Sequence, residues 1–256
     1  MKASFSERIR SWFRPARKPE YDRLVSAKLD LIDYACQRFP IRTVADLGGV
    51  WMVDGGYSFY ALEQGGVEKA FLVDTDFTPA VHARRERQPG MEIIQGNFGD
   101  PDTAAAVGEV DAIFLFDVLL HQVAPDWDEV LALYAPRTRL FLIYNQQFTA
   151  LPHTVRLLDL GREEYFRHVP HSPDEGPYLS LFEKLNEIHP QHQRPYRDIH
   201  NVWQWGIVDA DLTAKMRELG FEQVYFKDLG RFADTHSFEN HAFIFQKFQG
   251  KHDGKA

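Results

Sequence analysis

VADLGGVWMVDGGYSFYAL, residues 44–62, is the stretch whose reading decides the fold. Ile41, Val44 and Ala45 lead into Asp46-Leu47-Gly48-Gly49. This is the pattern of a buried parallel strand ending in glycines, which let the backbone turn and let a ligand come close to it. A helix is expected to open near Gly55-Gly56, with 57–62 supplying its apolar side. Its first N–H groups, unpaired within the helix, would point back over the strand end. A strand, a glycine turn and a helix in that order make a ligand site.

The flanking sequence continues the alternation. Upstream, Leu24, Val25, Leu29, Ile32, Ala35 and Cys36 recur at three- and four-residue spacing, which predicts a helix over 21–39 with one buried face, stopped by Pro40. Downstream, 69–74 is a compact apolar run ending in Asp74, the pattern of a second buried strand. A carboxylate at that strand end can accept both ribose hydroxyls of an adenosine, with Asp76 as the alternative if the strand runs longer. A helix over 78–87 and a third strand over 91–95 lead to Gly96-Asn97-Phe98-Gly99-Asp100. Strand four, 110–117, is the clearest in the chain and ends in Asp117, with His121 one helical turn further on. A fifth strand over 139–145 brings Tyr144, Asn145 and Gln146 to the same rim as acceptor contacts. A helix over 209–219, capped by Gly220, precedes strands over 221–226 and 241–248. These two are close enough in sequence to be antiparallel.

Asp46-Leu47-Gly48, Asp74, the 96–100 loop and the 110–121 stretch together resemble the class I S-adenosylmethionine-dependent methyltransferases. Val50 stands where that family places a second glycine, and Gly55-Gly56-Tyr57-Ser58-Phe59 follows the usual continuation with about three extra residues. The resemblance implies an α/β, Rossmann-like seven-stranded sheet, mostly parallel with an antiparallel last strand and helices on both faces. It implies S-adenosylmethionine as cofactor. Asp46 and Asp117 would hold its amino group, and Gly48, Gly49 and Gly55 would form the loop that admits it. Asp74 would bind the ribose. Asn97, standing where family members often carry Asp, would meet the adenine amine through its carbonyl oxygen, with Phe98 against the ring. Trp51, Tyr57 or Tyr60 would face the sulfonium. His121 would be the catalytic base toward a hydroxyl acceptor, or else would order its loop.

Composition bounds the rest. The chain has 256 residues, a formal charge of −8 and a pI near 5.8. Nucleic acid is therefore not an expected partner, and the resemblance implies a small-molecule acceptor. A single cysteine, Cys36, cannot form an internal disulfide, and no run is apolar enough to span a bilayer. Together these suggest a cytoplasmic protein. Residues 1–40 are expected as an N-terminal helical segment, in which Lys2, Arg8, Arg10, Arg14, Arg17 and Lys18 accompany Phe5, Ile9, Trp12 and Phe13. Packing on the domain is expected of it, rather than membrane association. Residues 41–256 are expected as the methyltransferase-like domain.

Between strand five and the final helix, at about 147–206, lies an insertion the sheet does not need, expected to be a lid or acceptor platform. Its Trp203 and Trp205 alternate as on a strand and would share one side, either buried or walling the acceptor pocket. It is rich in histidine, but it has no cysteine and no His-Glu-x-x-His helix, so no metal is expected. Two other readings stay open. One is a non-catalytic member of the same fold, and the other is an NAD-dependent oxidoreductase, although 48–52 does not give G-x-G-x-x-G.

Overall fold

The computed structural model describes residues 17–248. Of the N-terminal segment expected over 1–40, residues 1–16, Trp12 and Phe13 among them, lie outside the described residues. Nine strands are present among the described residues: β1 Thr43–Leu47, β2 Lys69–Asp74, β3 Met91–Gln95, β4 Val110–Phe116, β5 Thr138–Phe148, β6 Val155–Arg156, β7 Trp205–Gly206, β8 Phe221–Arg231 and β9 Phe238–Lys247. Seven of them form one sheet in the order β3-β2-β1-β4-β5-β9-β8, and β6 pairs with β7 apart from it. β1 to β5 are mutually parallel, and β9 runs antiparallel to both β5 and β8. The strand order reverses between β1 and β4, where open α/β sheets hold their ligands above the carboxyl ends of the strands.

Parallel strands buried on both faces must be apolar at every position. Alternate residues divide between two cores. Val44, Leu72, Phe114, Leu142 and Ile244 face α1 (Ser26–Arg38) and α2 (Gly56–Glu63). Ala45, Val73, Leu115, Ile143 and Phe243 face the other layer. That layer holds α4 (Pro101–Val107), α5 (Trp127–Tyr134) and α7 (Asp209–Glu218). Helix α3, Pro79–Arg85, lies between β2 and β3. Helix starts follow local chemistry. Thr78 caps α3 by accepting from the Val81 N–H at 3.3 Å, and Asp126 with Glu129 forms a capping box on α5. The helix expected over 21–39 begins only at Ser26, because Pro19–Tyr21 forms a 3-10 turn.

β5 is longer than its apolar run predicts. β9 pairs with it from Leu140–Gln246 to Phe148–Phe238, so Asn145, Gln146 and Gln147 are strand residues and all three are buried. The segment between β5 and α7 carries a third apolar cluster of its own, including Leu157, Tyr165, Tyr178 and Trp203, with helix α6 at Arg162–His168. No helix among the described residues is long and apolar enough to cross a membrane.

Candidate functional site

The glycine turn closes over Asp46. That carboxyl is 1% exposed and accepts a hydrogen bond from Ser58 Oγ at 2.7 Å, tying the end of β1 to the first turn of α2. A Cβ on Gly49 would lie 2.4 Å from Asp46 Oδ2, so only glycine lets the loop pass. Burial pushes Asp46 up to about 6, the Asp74 charge acting in the same direction and the Ser58 bond and Lys28 charge opposing it. Asp46 thus lies beneath the loop rather than in the open cleft, where a ligand's amino group would meet it. Gly55 takes a left-handed φ of 69° at the start of α2, as the expected helix opening requires.

Asp74 ends β2 as expected and holds the loop from the other side. Its Oδ2 accepts the Val50 N–H at 3.0 Å and its Oδ1 accepts the Thr75 N–H at 2.8 Å. An ionised carboxylate offers about four acceptor positions; one more is met only by the long 3.5 Å contact from Thr75 Oγ1, so a ribose hydroxyl can be accepted outright and a second by displacing that contact. Phe98 reaches the same place: its ring would lie 3.3 Å from a Cβ on Gly48. Asn97 spends its carbonyl oxygen on a local turn, accepting the Gly99 N–H at 2.9 Å, with one lone pair left over.

Asp117 adopts a left-handed φ of 60° just past β4. Its Oδ1 accepts from Gln146 Nε2 at 2.8 Å, and its Oδ2 forms an ion pair with the Lys28 ammonium of α1. Lys28 is 4% exposed. Its ammonium lies 4.9 Å from the Tyr144 ring centroid, 5.2 Å from that of Tyr57 and 5.9 Å from that of Phe116. Three aromatic faces and a carboxylate make a cation site. Tyr57 therefore does face a cation, but it is the protein's own. Tyr60 does not, since its hydroxyl donates to Asp33 away from the cleft. Trp51 is 80% exposed at the loop tip.

Lys28 is the residue sequence reading missed. Its signal was present: a lysine on the buried stripe of α1, next to Leu29 and four residues from Leu24 and Ile32.

His121 departs from the expected strand-end helix. Leu119–His121 is a single 3-10 turn, and the ring is turned toward the insertion. Its Nδ1 lies 2.9 Å from the Val202 carbonyl oxygen and its ring 6.1 Å from that of Trp203, edge to face. A carbonyl can only accept, so Nδ1 carries the hydrogen and Nε2 keeps its lone pair. Burial lowers the His121 pKa below the usual histidine range, although the Val202 bond and the Asp117 charge oppose it.

The remaining rim residues separate. Tyr144 and Gln146 point into the cleft, but Asn145 alternates to the opposite face and is fully buried. Trp203 is 5% exposed in the insertion's own core, its ring 4.7 Å from Phe238 and 5.6 Å from Phe232. Trp205 packs against the sheet's second core and donates from Nε1 to the Gln122 carbonyl at 2.7 Å. The two tryptophans do not share a face as expected, because only Trp205 is in a strand.

No protein-family model and no curated protein matches the chain. Solved structures do. An O-methyltransferase family protein from Burkholderia thailandensis superposes with a TM-score of 0.52 at 15% identity, over 90% of this chain and 58% of that one. The 1,6-didemethyltoxoflavin-N1-methyltransferase of the same organism, with 1,6-didemethyltoxoflavin and S-adenosylhomocysteine bound, gives 0.54 at 15% identity, over 88% of this chain and 79% of that one. The N-terminal domain of EvdMO1, in the presence of S-adenosylhomocysteine and D-fucose, gives 0.54 at 14% identity, over 88% and 84%. The fold is that of the class I methyltransferases. The class I sheet accounts for the antiparallel β9, which a plain dinucleotide-binding sheet does not require, and its switch point is where Asp46, Asp74 and Asp117 end adjacent strands.

Proposed function

We propose that this chain is an S-adenosylmethionine-dependent methyltransferase acting on a small-molecule acceptor. The observation that carries the reading is the row of carboxylates at the ends of β1, β2 and β4, with the glycine loop fastened to two of them by Ser58 and Val50. The residues fit the cofactor. Asp74 retains acceptor positions for a ribose, and Gly49 holds no side chain over Asp46. Asp117 and Lys28 offer one charge of each sign to an amino acid. The bound cofactor supplies an electrophilic methyl on a sulfonium. Lys28 would exchange Asp117 for the cofactor carboxylate, leaving Asp117 to take the amino group. Tyr57 and Tyr144 exclude water from the pair, and His121 accepts the acceptor's proton at Nε2.

The purified full chain is expected to be stabilised by about 2.7 kcal/mol in S-adenosylhomocysteine at about a hundred times its Kd. For a chain of this size that is a rise of roughly 5–10 °C in Tm. Asp74→Ala should cost at least about tenfold in affinity, since charge-assisted hydrogen bonds are worth about 1.5–3 kcal/mol each. Asp74→Asn, which retains one acceptor oxygen, should fall between. Stabilisation by NAD(H) and none by S-adenosylhomocysteine would reject the cofactor.

The caged ammonium also favours a second reading, in which Lys28 fills the cation site and the protein binds without catalysing. The two readings predict opposite signs for Lys28→Met. If Lys28 holds the cofactor carboxylate, calorimetry should show S-adenosylhomocysteine binding weakened about tenfold or more. Tighter binding, with no methyl transfer from S-adenosylmethionine, would favour the filled site.

A further inference from the structure

Asp228 of β8 and His241 of β9 stand directly opposite one another in the antiparallel ladder. Glu239 lies two residues before His241 on β9, and therefore on the same face. His241 is 6% exposed. Its Nδ1 lies 3.0 Å from Asp209 Oδ1, at the first residue of α7, so the Nδ1 hydrogen is committed to that carboxylate. Nε2 is buried and has no hydrogen-bond partner. It is aimed between two more acceptors, 3.6 Å from Asp228 Oδ1 and 3.5 Å from Glu239 Oε2. Phe226 and Phe243 hold the ring, with centroids 5.2 and 6.1 Å away.

We propose that Asp228, Glu239 and His241 bind a divalent transition-metal ion, zinc fitting the donor set best, on the sheet face opposite the methyl-transfer cleft. Three lone-pair donors converge there, their ligand atoms all within 4.8 Å of one another, and they are the one such group among the described residues. Ligands about 2.0–2.2 Å from a tetrahedral zinc lie about 3.4 Å apart, close to the two separations that involve Nε2. One imidazole with two carboxylates suits zinc and its neighbours. Magnesium and calcium prefer all-oxygen sets.

Asp209 supplies what histidine ligands require behind them, a carboxylate that fixes the tautomer and aims Nε2. Across β5, Asn145 and Gln147 stand in register with His241 and Glu239. Both are buried, and Asn145 Oδ1 and both polar side-chain atoms of Gln147 lack partners. This strip of the sheet face is thus polar where the rest is apolar. Asp228 and Glu239 open to solvent on its outer side, leaving a path for the ion and for water at the remaining positions. The site lies away from the cleft because side chains alternate along β9: Asn240 turns to Gln146 and the Asp117 pair, and His241 turns to α7. An ion there would fasten β8 to β9 and, through Asp209, both strands to α7.

The test is calorimetric titration of Zn(II) into the full chain, freed of any histidine tag and stripped with chelator, at neutral pH. One equivalent is expected to bind and to raise Tm, with no comparable heat from Mg(II). His241→Gln should abolish that equivalent. The double variant Asp228→Asn, Glu239→Gln keeps an acceptor oxygen at each outer position, including the one that takes the Gly230 N–H, and should also abolish it, with folding checked by an unchanged circular dichroism spectrum. Asp209→Asn should weaken binding about 10- to 100-fold. Absence of binding would overturn the proposal, leaving a proton on Nε2 as the occupant. Undiminished binding in His241→Gln or in the double variant would equally overturn it, assigning the zinc to the insertion's histidines.

Discussion

His121→Ala is expected to lower methyl transfer by about a hundredfold or more while leaving S-adenosylhomocysteine affinity nearly intact, the usual size of an acid–base contribution. The expectation rests on the tautomer. With Nδ1 bonded to the Val202 carbonyl at 2.9 Å, Nε2 is the only ring atom that can accept a proton. Burial is the largest influence on the ring and keeps it neutral below the ordinary histidine range. The sign follows directly: neutral imidazole is the active form, so turnover should be level near neutrality and fall only as pH drops through the lowered pKa. The readout is S-adenosylhomocysteine formed across a panel of small phenols, carboxylic acids and amines. Turnover within a few fold of the parent, or a pH profile with no fall anywhere on the acid side while chemistry is rate-limiting, would leave His121 the role of holding the Val202 segment. The buried carbonyl would then be the point of the bond.

Trp203→Ala should cost stability heavily. The ring is 5% exposed and touches Phe238, Phe232 and His121, and its backbone carbonyl accepts the Tyr165 hydroxyl at 2.9 Å. Removing a buried tryptophan costs about 3–5 kcal/mol, a fall of roughly 6–20 °C for a chain of this size. Denaturant unfolding followed by circular dichroism measures it. Loss should be confined to stability, with S-adenosylhomocysteine still bound at temperatures where the variant is folded. An unchanged Tm with impaired acceptor use would instead make Trp203 a pocket wall.

The expectation that the two tryptophans share one side had a sound local basis and failed for a non-local reason. Residues two apart share a side only in extended backbone, and Trp203 lies before β7 begins. Asn145 was assigned to the rim with Tyr144 on similar grounds. Both do end the apolar run, but β9 extends the ladder past them, and within a strand neighbours must face opposite ways. Lys28 sits on the buried stripe of α1, but nothing local in the chain says what it meets there. Its partner, Asp117, is 89 residues away.

The sequence by itself determined the succession of strands and helices, the glycine turn after β1, and Asp74 as the acid ending β2. Each depends on hydrophobic period and backbone freedom over a few neighbouring residues, and burial on both faces forces that pattern on any parallel strand. Tertiary structure alone decided which carboxylate is covered and which is open, that Lys28 stands in the cleft, and that His241 meets Asp209 and Asp228 on the far face. Those facts depend on strand register and helix docking, which bring together groups that no local pattern in the chain connects.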